Sequence, residues 1–499
     1  MRTALFRMAP SGAVAVGAAS QAPKISSKLP QRRKLSVAVI GAGAGGLTAT
    51  RELLKEGHQV VVFEQDSYGV GGVWRYLPQT EAEDPLGISP DCTRIHSSMY
   101  LSLRTNLPRE IMGFLDFPFL PKYGDECRDA RRYPDHAEVL AYLQDYALHF
   151  NLLPYVRFGR RVTQVAPIHK PTVHPESLAH PLPSKSEFRL PHQWSVTSEA
   201  EAGRMTMTDI FDAVVICNGH YFQPKLPLIP GIEKWPGTQL HSHNYRVPQP
   251  FADQIVVVIG NSSSGSDISR EIATVAKEVH LVGRTWDSGV DLKKPAGPSQ
   301  NIFLHPMVKL AQANGELLFE GGDTVVANAI LYCTGYAFSM PFLETVGVIN
   351  VDSDFVGRLY QHIFPPQLAP TLSFVGLPFK VIPFPLMQLQ SKWIAKALSG
   401  KVLLPSTEQM SEDVEEFYKN LEAKGIPKSK VHDLGSCQFE YDNWLADQCG
   451  CQAIEDWRIQ IYINSSKRKR ALPDSYRDEW TDQELHELAI ADLNQLQIA

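Results

Sequence analysis

The sequence predicts an α/β fold with two Rossmann-like dinucleotide-binding domains, because one pattern of strand, glycine turn, helix and strand occurs twice. In the first unit these elements are Leu35–Ile40, Gly41–Gly46, Leu47–Lys55 and Val60–Phe63. In the second unit they are Ile255–Ile259, Gly260–Gly265, Ser266–Lys277 and Val279–Val282. Each unit is expected to lie in a parallel sheet with a right-handed crossover.

Two further segments resemble each other and bracket the second unit. Phe211–Tyr221 and Ala329–Tyr336 both continue an apolar strand into a Cys-(Asn/Thr)-Gly sequence. We therefore predict that the second domain is inserted into the first, which makes the first domain discontinuous. The two segments should lie near the points where the chain crosses between the domains.

Composition and charge exclude several classes of protein. The 499 residues are 43% hydrophobic and 20% charged, which is typical of a globular protein. A net charge of −6 argues against a nucleic-acid partner. No apolar run approaches the roughly 18 residues that a transmembrane helix needs.

The cysteines and the N-terminal segment bear on localisation. Seven scattered cysteines indicate a reducing compartment and therefore the cytoplasm. Residues 1–34 contain basic residues but no acidic ones, so we predict a flexible leader. The alternative is a transit peptide to a plastid or mitochondrion, which has this composition.

The first glycine turn has the G-x-G-x-x-G spacing of dinucleotide-binding proteins. Gly41 allows the tight turn, Gly43 lets the backbone approach a diphosphate, and Gly46 lets the helix and strand pack closely. The N-terminus of the helix that follows offers free N–H groups to the phosphates, and we also assign Gly45, in the turn, to cofactor binding. Glu64 ends the second strand, where its carboxylate can accept hydrogen bonds from ribose hydroxyls. A strand–helix turn that binds nothing would leave Glu64 unexplained.

The second glycine turn differs in two positions that bear on the choice of nucleotide. Ser262 replaces the middle glycine, and a hydroxyl there can donate to phosphate. At the offset that corresponds to Glu64 the chain has Gly283, followed by Arg284 and Thr285. An arginine in place of an acid favours the 2′-phosphate of NADPH over the free ribose of NADH. The alternative is that Arg284 is a solvated residue at a strand end.

The two turns together predict FAD in the first domain and NADPH in the second, with hydride passing from the nicotinamide to the flavin. We assign the phosphates of NADPH to Gly260, Ser262, Ser264 and Gly265. The domain prediction is a leader at 1–34, the first part of an FAD-binding domain at 35–216, an NADPH-binding domain at 217–330, and the second part of the FAD-binding domain with a C-terminal helical region at 331–499.

Several motifs resemble the flavin-containing monooxygenases, and most closely the plant S-oxygenase branch that acts on glucosinolates and alkylcysteines. The most specific is Trp235–Tyr245, which matches the family pattern F-x-G-x-x-x-H-x-x-x-Y/F at Gly237, His241 and Tyr245, with Trp235 in place of Phe. The other matching segments are Gly69–Trp74, Tyr100–Asn106, Arg132–His136 and Leu389–Trp393. The resemblance runs from Leu35 to beyond Tyr462.

The resemblance implies a mechanism and further site residues. NADPH reduces FAD, the reduced flavin reacts with O2 at C4a to give a hydroperoxide, and a thioether sulfur attacks the distal oxygen to become a sulfoxide. The substrate would be a small S-alkylcysteine or methylthioalkyl glucosinolate of secondary metabolism. Gly72 and Trp74 would contact cofactor, and Asn106 would be the catalytic residue beside the flavin. The alternative for Asn106 is that it caps a turn.

Other functions remain open from the residues alone. The same chemistry would serve N-oxygenation of amines or a Baeyer–Villiger-type oxidation. A pyridine-nucleotide disulfide reductase would need a redox cysteine pair close to the flavin, which the sequence lacks. A nucleotide-binding sensor without catalysis is a further alternative.

Two smaller motifs receive a structural interpretation. His241 and His243 have no third ligand nearby, so we predict no metal site and expect His241 to form hydrogen bonds within its motif. The basic run Lys467–Arg470 resembles a nuclear localisation signal, but we interpret it as a solvated loop.

Overall fold

The computed structural model describes residues 34–89, 95–168, 193–200, 205–287, 290–345 and 347–498. The leader predicted at residues 1–34 lies outside the described part of the chain except for Lys34. The strands β1 to β18 are Ser36–Ile40, Gln59–Phe63, Val156–Arg157, Arg160–Pro167, Trp194–Ala200, Thr206–Phe211, Ala213–Ile216, Gln223–Pro224, Thr238–His241, Ile255–Ile259, Glu278–Val282, Ile302–His305, Val308–Ala311, Glu316–Phe319, Thr324–Val326, Ala329–Tyr332, Tyr336–Ala337 and Leu372–Phe374. The helices α1 to α9 are Ala44–Lys55, Arg109–Met112, His136–His149, Ser263–Ile272, Pro383–Ser399, Thr407–Ala423, Gln438–Gln448, Asp456–Ala471 and Gln483–Ile498.

Two parallel five-stranded sheets form the centre of the molecule. The first has the strand order β18-β7-β1-β2-β3, and the second has the order β12-β11-β10-β16-β9. The central strands β1 and β10 are almost wholly buried, as expected for apolar strands covered on both faces. The predicted fold class, with two Rossmann-like units, is confirmed.

The second sheet is inserted into the first along the chain. All of its strands lie between β7 and β18, which are neighbours in the first sheet. The chain enters the insertion through β8 and leaves it through β17, and these two short strands pair antiparallel, with Tyr336 opposite Pro224. The two Cys-(Asn/Thr)-Gly segments come just before β8 and β17, so they lie at the crossing points as predicted.

The remaining elements cover the two units. The antiparallel sheet β4-β5-β6 packs beside the first unit, and β13-β14-β15 beside the second. Helix α5 packs along α1 and against α7, while α8 packs against α2 and α9. In the described ranges, no helix combines the length and the apolar character that crossing a bilayer requires.

Two predicted element boundaries were wrong in detail. Helix α1 begins at Ala44 rather than Leu47, because Gly45 and Gly46 already adopt helical conformation. Helix α4 runs from Ser263 to Ile272 rather than from Ser266 to Lys277. It ends early because the chain must return to the sheet, where the Lys277 N–H donates to the Gln254 carbonyl at 2.9 Å.

The prediction of a solvated loop at Lys467–Arg470 was also wrong. These residues form the last turn of α8. The helix continues through them because Trp457, Ile461 and Ser465 are buried at intervals of four residues along one face. A basic last turn is favourable at the negative end of the helix dipole.

Candidate dinucleotide-binding and active site

The first glycine turn depends on two close backbone contacts. Gly41 has φ +102°, and a Cβ there would lie 2.7 Å from the Cys217 carbonyl oxygen. A Cβ on Gly46 would lie 1.8 Å from the Gly41 oxygen. No side chain fits at either position, so the predicted packing roles of Gly41 and Gly46 are confirmed.

Gly43 differs from its neighbours because the protein itself leaves room beside it. Its φ is −74°, and the nearest atom to an added Cβ is the Gly72 Cα at 3.6 Å. The packing of the protein therefore does not require glycine here. The space is consistent with the close approach of a diphosphate.

The N-terminus of α1 offers free donors beside that space. No side chain caps it, and its first turn holds no acidic residue. The N–H groups of Ala44, Gly45 and Gly46 cannot find acceptors within the helix, because the first bond runs from Leu47 to Gly43. Such a helix end binds phosphate oxygens well, so this segment fits a dinucleotide.

Glu64 lies at the end of β2 and is buried. Its Oε2 accepts from the Ala42 N–H at 2.7 Å and its Oε1 from the Asp66 N–H at 2.9 Å. Burial raises its pKa, and the two N–H groups act in the opposite direction. Each oxygen can accept a second hydrogen bond, so the carboxylate still fits a ribose. The sequence did not indicate its second role, which is to hold the glycine turn.

The Gly69–Trp74 segment lies on the opposite side of the space beside Gly43. The Gly71 N–H donates to the Ala42 carbonyl at 3.1 Å, and Gly72, with φ +57°, faces Gly43. Trp74 packs edge-on against Phe384, with ring centres 6.5 Å apart. The structure therefore brings together the turn, Gly72 and Trp74.

The second turn repeats the geometry of the first. Gly260 has φ +112°, and a Cβ there would lie 2.3 Å from the Cys333 oxygen, while one on Gly265 would lie 1.6 Å from the Gly260 oxygen. The recurrence of Cys217 and Cys333 in the sequence thus reflects equivalent positions in the two units. Burial raises the pKa of both thiols, which makes neither a reactive thiolate.

The N-terminus of α4 is also uncapped and lacks an acid, with Ser262 and Ser264 exposed beside it. Arg284 and Thr285 are exposed at the end of β11. No hydrogen bond or ion pair joins Arg284 to another residue that the structure describes. Its guanidinium is therefore free to meet a phosphate.

Asn261 was missed by the sequence analysis. Its Nδ2 donates to the Thr285 carbonyl at 2.7 Å, and its amide lies where a Cβ on Gly283 would be. The Asn261 amide thereby holds the end of β11, which carries Arg284, against the glycine turn. Its position inside the turn, between Gly260 and Ser262, was the available signal.

Asn106 lies between the two units. Its Nδ2 donates to the Ser263 Oγ at 3.3 Å, at the first residue of α4. The segment that carries it is anchored to the first domain, because Thr105 N–H donates to the Pro134 carbonyl at 2.8 Å and His136 N–H to that of Leu103 at 3.1 Å. Ser263 was missed, although its neighbours Ser262 and Ser264 were selected.

The Trp235–Tyr245 motif supports the second domain rather than supplying reactive groups. The Trp235 indole packs on Gly237, where a Cβ would lie 2.2 Å from the ring, and its Nε1 donates to the Gly315 carbonyl at 3.0 Å. The His241 Nδ1 accepts from the His243 N–H at 3.0 Å, as expected. Burial lowers the pKa of His241 to about 3, so its Nε2–H donates to the Gly335 carbonyl at 3.2 Å from a neutral ring.

Among the residues described, no group of three His, Cys, Asp or Glu side chains is arranged to hold a metal ion. The site brings together two helix N-termini with free N–H groups, and Asn106 forms a hydrogen bond at the second of them. This arrangement defines a flavoprotein oxidoreductase with two nucleotide-binding domains.

Comparison with known proteins identifies the family within this class. The model of the flavin-binding monooxygenase-like family matches residues 34–290 and 298–452, and the chain belongs to that family. It is 49% identical over 456 residues to the flavin-containing monooxygenase FMO GS-OX2 of Arabidopsis thaliana, covering 91% of this chain and 94% of that protein. It is 50% identical over 452 residues to FMO GS-OX5 of the same plant, covering 90% and 93%. FAD and NADPH are its cofactors.

Two solved structures have the same fold. The S-allyl-L-cysteine S-oxygenase from Allium sativum superposes with a TM-score of 0.84 at 45% identity, over 93% of this chain and 99% of that one. Tmm from Pelagibacter sp. strain HTCC7211 superposes with a TM-score of 0.69 at 21% identity, over 89% and 93%. The second likeness bears on the fold alone. The chain is a plant-type flavin-containing monooxygenase of the S-oxygenase branch.

The space beside Gly43 makes a specific prediction. Gly43→Ala should fold normally, because its φ and its 3.6 Å neighbour both permit a methyl group. It should nevertheless lose most bound FAD, because the methyl group occupies the space for the diphosphate. The flavin-to-protein absorbance ratio and the melting temperature measure the two effects.

Gly321→Ala is the matched control, since its added Cβ would also have its nearest neighbour, Pro306, at 3.5 Å and it belongs to neither glycine turn. Full FAD occupancy in Gly43→Ala would contradict the assignment of the first turn.

Proposed function

We propose that this monooxygenase converts thioethers to sulfoxides, with S-alkylcysteines or methylthioalkyl glucosinolates as its substrates. The observation that carries this proposal is the similarity, at 45% identity over nearly the full chain, to a protein named as an S-allyl-L-cysteine S-oxygenase. The relatives with GS-OX names support the same branch. We place the reaction in the cytoplasm.

In the balanced reaction, one thioether, one O2, one NADPH and one proton give one sulfoxide, one NADP+ and one water. The bound cofactors supply the electrons and activate O2, so the protein has to bind, orient and exclude water.

The first turn is the proposed FAD site. The N–H groups at Gly43, Gly45 and Gly46 would bind the diphosphate, and Glu64 would accept from the ribose. Gly41 shapes the turn, while Gly72 and Trp74 would border the cofactor from the opposite side of the opening.

The second turn is the proposed NADPH site. The helix end at Gly260–Gly265, with the hydroxyls of Ser262 and Ser264, would hold the diphosphate. Arg284 and Thr285 would receive the 2′-phosphate. Asn106, which bridges to this helix, would present its amide N–H groups at the junction of the two cofactors and act as the catalytic residue.

A coupled assay tests the reaction and its alternatives. We expect the purified yellow enzyme to form one sulfoxide for each NADPH consumed when supplied with S-alkylcysteines or methylthioalkyl glucosinolates. Simple amines and cyclic ketones should leave NADPH consumption near its background. Oxidation confined to amines would overturn the S-oxygenase proposal, and lactone formation from ketones would favour a Baeyer–Villiger enzyme.

Asn106→Asp should separate electron transfer from oxygen transfer. The new carboxylate cannot donate a hydrogen bond, so we expect FAD to stay bound while sulfoxide formed per NADPH falls about tenfold or more and hydrogen peroxide appears instead. Asn420→Asp, at an exposed position of α6, is the control. An unchanged sulfoxide yield would refute the role of Asn106.

Arg284→Ala should change the preference between nucleotides. Loss of a charged contact to the 2′-phosphate should raise the KM for NADPH about tenfold or more and leave that for NADH nearly unchanged. Arg161→Ala, an exposed arginine that pairs with Glu199 on β5, is the control. Equal effects on both nucleotides would show that Arg284 does not contact the 2′-phosphate.

A further inference from the structure

Helix α8, in the C-terminal region of the chain, reaches the second nucleotide-binding unit. Lys469, in its last turn, places its Nζ 3.1 Å from the Ser263 Oγ, at the first residue of α4. Its side chain is partly buried, and the Nζ also lies 6.0 Å from the centre of the Tyr476 ring. The ammonium of Lys469 therefore lies at the proposed diphosphate site.

The segment after α8 is held against α4 by ion pairs. Arg477 donates to Asp267 at 2.6 Å and also to the Thr105 carbonyl at 2.9 Å, next to Asn106. Arg270 donates to Asp474 at 2.5 Å. These contacts fix the position of Lys469 relative to both α4 and the segment that carries Asn106.

Because the nearby carboxylates are already paired with arginines, neither of them pairs with Lys469. Asp267 is engaged by Arg477 and Asp474 by Arg270. In the described ranges, the ammonium of Lys469 forms no ion pair. An anion bound at the positive end of the α4 dipole would therefore meet an ammonium that no described carboxylate pairs with.

The titration of Lys469 agrees with an ammonium that forms no ion pair. Burial lowers its pKa; Asp267 opposes that shift, while Arg477 and Arg270 add to it. A bound anion would reverse the shift, because opposite charge favours the protonated ammonium.

Ser263 supplies a second feature that points to an anion. Its Oγ accepts from Lys469 and from Asn106 Nδ2. A hydroxyl has two acceptor sites and one donor, so the remaining O–H is available for an oxygen acceptor. An ammonium, a hydroxyl and the free N–H groups of α4 therefore converge on one place.

We propose that Lys469 binds an oxygen of the NADPH diphosphate at the N-terminus of α4, with Ser263 as its partner. The proposal deepens, and rests on, the proposed function of the second turn as the NADPH site. Lys469 then recognises the part common to NADPH and NADH, whereas Arg284 recognises the 2′-phosphate.

Binding measurements on the FAD-loaded enzyme test this division by calorimetry with three probes: NADP+, NAD+ and 2′-AMP. Lys469→Met should weaken NADP+ and NAD+ by about tenfold or more each and leave 2′-AMP, which lacks a diphosphate, unchanged. Lys469→Arg should recover most of the affinity. Ser263→Ala should weaken the same two probes, which provides a second route if Lys469→Met impairs folding.

Lys467→Met is the matched control, because this exposed lysine belongs to the same basic run. Melting temperature and flavin content should match the wild type in every variant compared. Unchanged NADP+ affinity in Lys469→Met, an equal loss in Lys467→Met, or a loss shared by 2′-AMP would each overturn the proposal. Because binding is measured without a thioether, failure of S-oxygenation in the wild-type enzyme would be a separate result.

Discussion

Both nucleotide-binding units depend on a glycine Cα packed against a carbonyl oxygen of the neighbouring strand. Gly41 meets the Cys217 carbonyl and Gly260 meets that of Cys333, while Gly46 and Gly265 close the turn onto its own first residue. These contacts leave no space for a side chain. They bring each helix N-terminus to the carboxyl edge of its sheet with its N–H groups free, and the proposed binding of the two dinucleotides depends on this geometry.

The relation between the two units depends on connections of a different kind. The paired linker strands β8 and β17 join the domains where the chain crosses. The Asn106–Ser263 hydrogen bond and the Arg477–Asp267 ion pair join them at the site itself. Since hydride transfer requires the reacting rings in contact, these polar contacts bear on how the two proposed binding sites are placed relative to each other.

The sequence predicted what is local and periodic. Strands, glycine turns and the position of Glu64 follow from patterns within about thirty residues, the length of one βαβ unit. The insertion follows from two similar segments that bracket the second unit. It could not predict that Glu64 also holds Ala42, because that contact depends on how the turn folds back. It also missed Lys469, which is 206 residues from Ser263 and lies in a basic run that was interpreted as a loop. The packing of α8 in the folded protein brings Lys469 to Ser263.

We expect nicotinamide and flavin to meet in one cleft, so that hydride passes directly between them. The most direct measurement is the rate of flavin bleaching when NADPH is mixed anaerobically with the enzyme, compared with NADPH carrying deuterium at the transferred position. The account predicts rapid bleaching without substrate or O2, slowed by the deuterium. Absence of bleaching by NADPH in an enzyme that binds both cofactors would contradict direct transfer.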